Sequence, residues 1–354
     1  MGTGVALPER VRTFTCACGA RLFFENTRCL ACNSALGFRP DKLLLVGIRD
    51  PATGAAETTV ADDESFRPCA NYVDSGVCNW LVPAASPDAL CIACRLNQTI
   101  PNLSEPGNRQ LWADVESAKR RLIYGLLRLG LTILSKAEEP ARGVSFDIKA
   151  DAGEERVLTG HNDGLITLNL EEADPAKRER NRQSLKERYR TLLGHFRHEI
   201  GHYYWDRLVL EGNRVEAFRQ VFGDERDDYA QALERHYQAP LQDYRVRYIT
   251  SYASAHPWED FAETFAHYLH MRDTLETASS FGLSGGSART AGRDPAGLAT
   301  LLDDWQGLTV ALNALNRSMG LPDAYPFALT PLVEVKLAFV HELLGSHATP
   351  QAVA

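Results

Sequence analysis

The chain has 354 residues, an apolar fraction of 44% and a formal net charge of −8. That balance suits a globular protein with room for two or three domains, and it argues against a surface built mainly to hold nucleic-acid phosphates, although local patches can survive a negative total. No apolar run reaches the roughly eighteen residues of a membrane helix. MGTGVALPERVRTF shows no basic start followed by an apolar core, so a cytoplasmic location is expected.

Residues 1 to about 105 read as short strands and turns: FTCACGARLFFENTRCLACNSALGF, then KLLLVGI, then a second cysteine-bearing stretch. All eight cysteines lie before residue 95. Cys16, Cys18, Cys29 and Cys32 form two close pairs, the spacing of a zinc ribbon whose hairpin knuckles present four thiolates. Cys69, Cys78, Cys91 and Cys94 form a second quartet with a wider first pair. Close spacing and the missing signal favour metal in a reducing compartment over a disulfide scaffold. The expectation is two structural zinc ions stabilising a small domain with little core, with pairing across the quartets left open. Acidic residues outnumber basic ones in this region, which disfavours nucleic acid as its partner.

IPNLSEPGN, residues 100–108, reads as a linker, placing a domain boundary near 105/106. A helix is expected from about Arg109 to Leu131, with Leu111, Val115, Ala118, Leu122, Leu126 and Leu129 near one face. Lys119, Arg120 and Arg121 are read as its solvated side. GVSFDIKA (143–150), RVLTG (156–160) and GLITLNL (164–170) alternate like half-buried strands, and HNDG (161–164) is a hairpin turn. From about Pro175 onward the pattern is helical: a charged stretch at 175–190, the segment TLLGHFRHEIGHYYWDRLV, then helices near 213–222, 226–238, 257–275, 297–319 and 330–345. Residues 279–295 have the composition of a surface loop.

The chemistry concentrates in His198-Glu199-Ile200-Gly201-His202. On a helix a spacing of four turns a side chain by only about 40°, so both imidazoles can reach one metal ion. Glu199, about 100° away, is placed to act as general base on a metal-activated water. The flanking face is apolar and aromatic (Leu192, Leu193, Phe196, Ile200, Tyr203, Tyr204, Trp205), as in a buried helix where unpaired His and Glu are costly. A catalytic zinc takes a third protein ligand. Downstream, Pro257 opens a helix on which Glu259 and Glu263 stand one turn apart on one face. His267 and His270 follow on that helix and are read as packing residues.

HPWEDFAETFAHYL resembles the gluzincin pattern, with specific likeness to anthrax lethal factor and to the peptidases that cleave phage repressors; this likeness covers 164–275. It implies Glu259 as third zinc ligand and Glu263 as the acid that orients a ligand histidine. It also implies Tyr252, in Thr250-Ser251-Tyr252, as hydrogen-bond donor to the developing oxyanion, with Tyr248 and His256 as nearby competitors. GLITLNL is implied as an edge strand that pairs with extended substrate. FTCACGARLFFENTRCLAC, CNWLVP, CRLNQTIPNL, AKRRL, TGHNDGLITLNLEEAD, YRTLLGHFRHEIGHYYWD and HPWEDFAETFAHYL together resemble a bacterial family of zinc-binding metallopeptidases with an N-terminal zinc ribbon, from about Phe14 to His341.

The expected architecture is α+β: a ribbon domain at 1–105, then a mainly helical zincin-like domain with a small antiparallel or mixed sheet at 106–354. The expected function is hydrolysis of peptide or isopeptide bonds in protein or peptide substrates, with one catalytic and two structural zinc ions. Two other readings stand beside it: a non-catalytic binding or regulatory protein on the same fold, and a nucleic-acid-associated protease guided by its ribbons. A plugged cleft or a third ligand histidine favours the first of these. The active-site helix is expected as the floor of a cleft walled by GLITLNL and narrowed by the ribbon.

Overall fold

The computed structural model describes residues 13–48, 65–151, 156–184, 187–283 and 294–347. Short hairpins carry the cysteines. β1 (Phe14–Thr15) pairs antiparallel with β2 (Arg21–Leu22), and β3 (Ala35–Arg39) with β4 (Leu44–Ile48). β5 (Phe66–Pro68) pairs with β6 (Leu81–Pro83) across the short helix α1 (Ala70–Val73). Strands this short are marginal alone. Phe14, Phe24, Phe38 and Trp80 fill the space between them, with ring centroids 4.8–6.3 Å apart.

β7 (Asn97–Thr99) follows the last cysteine directly and enters a second, mixed sheet with β8 (Ser145–Lys149), β9 (Gly160–Asn162) and β10 (Leu165–Asn169). The order is β7-β8-β10-β9; the first two pairings are parallel and the last antiparallel. Asp163 and Gly164, with φ of 46° and 76°, make the two-residue turn between β9 and β10 that HNDG announces. A Cβ at Gly164 would come within 2.4 Å of the Gly143 carbonyl oxygen. Two strand expectations are corrected. RVLTG is extended strand only at Gly160, and GLITLNL is interior, because β9 covers its outer side from Leu165 to Thr167.

α2 (Asn108–Arg128) buries Trp112, Val115, Leu122, Ile123 and Leu126, and it corrects a further reading. Lys119 and Arg120 are not solvated: they are 0% and 6% exposed. Lys119 pairs with the equally buried Glu116 at 2.8 Å, and Arg120 donates to the Val77 carbonyl of the ribbon. Arg121 stays half outside and pairs with Glu25. The ribbon covers this face of the helix, a fact no helical period can express. A single buried apolar cluster runs from Phe14 through the cysteines and α2 into the C-terminal helices.

Those helices are α3 (Pro175–Ser184), α4 (Leu192–Tyr204), α5 (Val215–Phe222), α6 (Tyr229–Gln238), α7 (Pro257–Ser280), α8 (Pro295–Ser318) and α9 (Pro331–His347). The whole is α+β, with small antiparallel strands and cysteine clusters first and a mainly helical region with a small mixed sheet after. None of the described helices is long and apolar enough to cross a membrane. Most of the loop read at 279–295 lies outside the described residues.

Candidate metal centre

Local rules place the two central helices. Thr191 caps α4, its side chain accepting from Gly194 N at 3.0 Å, and His256 caps α7 with Pro257 in the first turn. α4 ends in a π-turn at Trp205–Leu210, immediately after the histidine pair. Where α4 and α7 cross, Gly201 lets the helices come close: a Cβ there would meet Ala262 Cα at 3.0 Å and its carbonyl oxygen at 3.2 Å, tighter than ordinary contact. This close approach brings Glu259 of α7 against the histidines of α4.

His198 Nε2 and His202 Nε2 lie 3.2 Å apart, and Glu259 Oε2 is 2.9 Å from the first and 3.5 Å from the second. Four-coordinate zinc with bonds of 2.0–2.1 Å sets its ligand atoms about 3.3 Å apart, so the three donors fit the face of one tetrahedron. Glu259 is 1% exposed and its Oε2 has no hydrogen-bond partner, although a buried carboxylate oxygen is costly without one. The residues therefore fit a zinc ion.

The other nitrogen of His198 is fixed. Its Nδ1 lies 2.7 Å from Glu263 Oε1, which can only accept, so Nδ1 carries the proton and Nε2 faces the other donors. Before metal enters, burial opposes charge on His198, yet Glu259 and Glu263 hold its pKa well above the ordinary value, so a bound cation would displace the Nε2 proton. His202 lies against the Trp258 ring at 5.1 Å, with His161 of β9 on another side at 6.1 Å. Glu199, 8% exposed, has its pKa raised by burial, against the pull of His198 and His202.

Glu199, His198, Glu263 and Tyr252 line a cleft of about 1350 Å³. α4 and α7 contribute its floor. One wall is 156–159 with Asn169, Glu171 and Glu172; of GLITLNL only Asn169 reaches it. The opposite side comes from the end of α6 and the chain to Tyr252. No described ribbon residue lines the cleft, so the expected narrowing by the ribbon is not found.

Among the candidate tyrosines and histidine the contacts discriminate. Tyr252 sits with its ring 5.8 Å from that of His198, and burial followed by the Glu259 carboxylate drives its pKa far up, keeping it a donor. Tyr248 is engaged by Lys336 Nζ 4.2 Å over its ring. His256 spends Nδ1 on Trp258 N and Nε2 on the Asp227 carbonyl. One residue escaped sequence reasoning. The Tyr229 hydroxyl donates to Glu259 Oε1 at 2.6 Å, from a different helix and thirty residues upstream. No local pattern marks it.

Each cysteine quartet assembles from its own segment: Cys16, Cys18, Cys29, Cys32 and Cys69, Cys78, Cys91, Cys94. Sulfur separations are 3.6 Å (Cys16–Cys32), 3.7 Å (Cys18–Cys29) and 3.8 Å (Cys78–Cys91). These are far too long for disulfides and close to the edge of about 3.8 Å in a tetrahedron of 2.3 Å zinc–sulfur bonds. The second quartet is wholly buried, whereas Cys18 and Cys32 are exposed.

Two four-cysteine sites and a His-His-Glu site beside a buried glutamate give the chain the donor sets of a zinc-binding protein. The chain belongs to the family described as "Putative zinc-binding metallo-peptidase", whose model matches residues 108–343, and a zinc-ribbon domain model matches 13–105. It is 42% identical over 339 residues to uncharacterized proteins of Mycobacterium bovis and of Mycobacterium tuberculosis strain H37Rv, covering 94% of this chain and 95% of each relative. No solved structure matches it.

Proposed function

We propose that the chain is a gluzincin-type zinc peptidase acting selectively on protein or peptide substrates in the cytoplasm, with a mechanistic likeness to lethal factor. The observation that carries this reading is the convergence of His198 Nε2, His202 Nε2 and Glu259 Oε2, with His198 and Glu199 lining an open cleft. A bound zinc would be held by these three residues and would supply Lewis acidity, acidifying a water and polarising a carbonyl.

The chain's own groups do the rest. Glu199 takes the proton from the attacking water and hands it to the leaving amine. Tyr252 donates a hydrogen bond to the oxygen on which negative charge develops. Glu263 holds His198 in the tautomer that leaves Nε2 free for metal. Tyr229 steadies the second oxygen of Glu259. The carboxylate third donor and the open cleft favour an enzyme over a binding protein on the same fold.

Zinc-loaded parent and Glu199→Gln proteins, screened against peptides and whole-proteome digests, test this. The variant should keep its zinc and lose hydrolysis by about 10²–10⁴-fold, the scale of a general base. Equal cleavage by both proteins would remove Glu199 from the reaction and sink this mechanism.

A further inference from the structure

Past the metal centre, the cleft-facing stripe of α7 continues as Ala266, His267 and His270, three, four and seven residues beyond Glu263. Tyr189, from the chain before α4, and Tyr325 and Phe327, from the connection between α8 and α9, close a recess over that stripe. The His267 ring lies 4.6 Å from Phe327 and 5.6 Å from Tyr325; the His270 ring lies 5.6 Å from Tyr189 and 5.8 Å from Tyr325. Trp305 braces Tyr325 from behind at 4.7 Å. Tyr325 is buried, while the other four rings are half-buried and border the cleft.

The recess is lined mainly by rings, with one exposed cation beside it: Arg188, which donates to the Pro326 carbonyl at 3.1 Å. His267 Nδ1 is 2.8 Å from the Tyr325 hydroxyl. His270 Nδ1 faces Arg197, whose other nitrogen pairs with Asp273. Burial pushes both imidazoles down, to about 4 for His267 and about 3 for His270, so they are neutral near pH 7. One helical turn, about 5–6 Å, separates His267 from Glu263, whose carboxylate holds His198. That is the reach of a side chain one or two residues from a peptide bond set over the metal donors.

Building on the peptidase reading, we propose that this recess is the pocket that selects substrate, and that it receives an aromatic side chain at one fixed position beside the scissile bond. Ring edges and faces from three separate chain segments match the edge-to-face packing of Phe, Tyr or Trp. An acidic or basic side chain entering among the rings loses its hydration.

The test uses full-length, zinc-loaded protein and peptides varied at each position around the cut. At one position kcat/KM for Phe should exceed that for Ala by about tenfold or more, the scale of discrimination in an apolar pocket. In Phe327→Ala and Tyr189→Ala, shown folded by melting curves, that ratio should fall toward one whatever the absolute rate. Cleavage by the parent with no aromatic preference, or variants that keep the preference, overturns the pocket and leaves the peptidase standing. A parent that cleaves nothing counts against the peptidase reading instead. The pocket is then judged by fluorescence polarisation of Phe- and Ala-containing peptides on zinc-loaded Glu199→Gln, where equal affinities overturn it and tighter binding of the Phe peptide supports it.

Discussion

Removing Glu263 should weaken zinc at the histidine site without touching a single ligand. Its Oε1 accepts from His198 Nδ1 at 2.7 Å, with the two side chains 18% and 12% exposed. Glu263→Gln keeps an acceptor but gives up the charge, so the loss should sit near tenfold, the low end for partners of metal-bound histidine. Glu263→Ala leaves a buried N–H with nothing to receive it and frees the ring to turn. That loss should approach 100-fold, about 2.7 kcal/mol. Competition against a chromophoric chelator reads the affinity directly, and the cysteine sites, remote from Glu263, serve as an internal reference in the same tube. Melting of the variants with the histidine site stripped separates metal affinity from general damage. Zinc held within twofold of the parent by both variants would show that Glu263 does not orient His198, and the assignment would fall.

Lys119→Met should destabilise the protein by about 3–5 kcal/mol, because it leaves Glu116 buried without its cation; calorimetry or denaturant melts should show the loss, and less than 1 kcal/mol would mean the pair is not coupled. Elemental analysis should find three zinc ions per chain, with chelators taking the histidine site first, the quartet holding exposed Cys18 and Cys32 next and the buried quartet last; a different order removes burial as the controlling factor. Tyr252→Phe should lower kcat by about 10²–10³-fold with KM little changed, as for loss of an oxyanion donor, and an unchanged kcat would remove Tyr252 from that role.

Much of the centre is legible because its geometry is local. The spacing of His198 and His202 is a helix property, and each cysteine quartet closes within its own segment of the chain. Glu259 lies sixty residues downstream, and only resemblance joins it to the histidines before the α4–α7 crossing is known. Gly201 carries that crossing, yet a glycine inside a helical motif looks like a mild defect until Ala262 is seen against it. Tyr229 stayed hidden because its partner is chosen by the packing of α6 over α7. β9 is misplaced for another reason: the pattern shows the hairpin but sets its first strand at 156–160 instead of Gly160–Asn162, because three residues are too few to show a period of two.

The misread charges of α2 bear on how the two halves of the molecule depend on each other. A run of Lys-Arg-Arg beside an apolar stripe is normally solvated, since burying such groups is expensive without partners. Here the partners come from the ribbon side. Glu116 accepts from Asn97 Nδ2 at 2.8 Å and from Trp112 Nε1 at 3.2 Å, and Cys94 Sγ lies 3.9 Å from its other oxygen. Four thiolates around one divalent ion carry an excess of negative charge, and buried Lys119 and Arg120 stand on the face of α2 turned toward that quartet. Asn97 also begins β7, the outermost strand of the sheet beside the active-site helix. The second quartet thus fixes one end of the sheet and one face of α2 at once, and α2 packs on α4. Loss of its zinc would uncover repelling thiolates next to Glu116 and loosen β7. The ribbon is in this sense a foundation for α4, even though none of its described residues reaches the cleft.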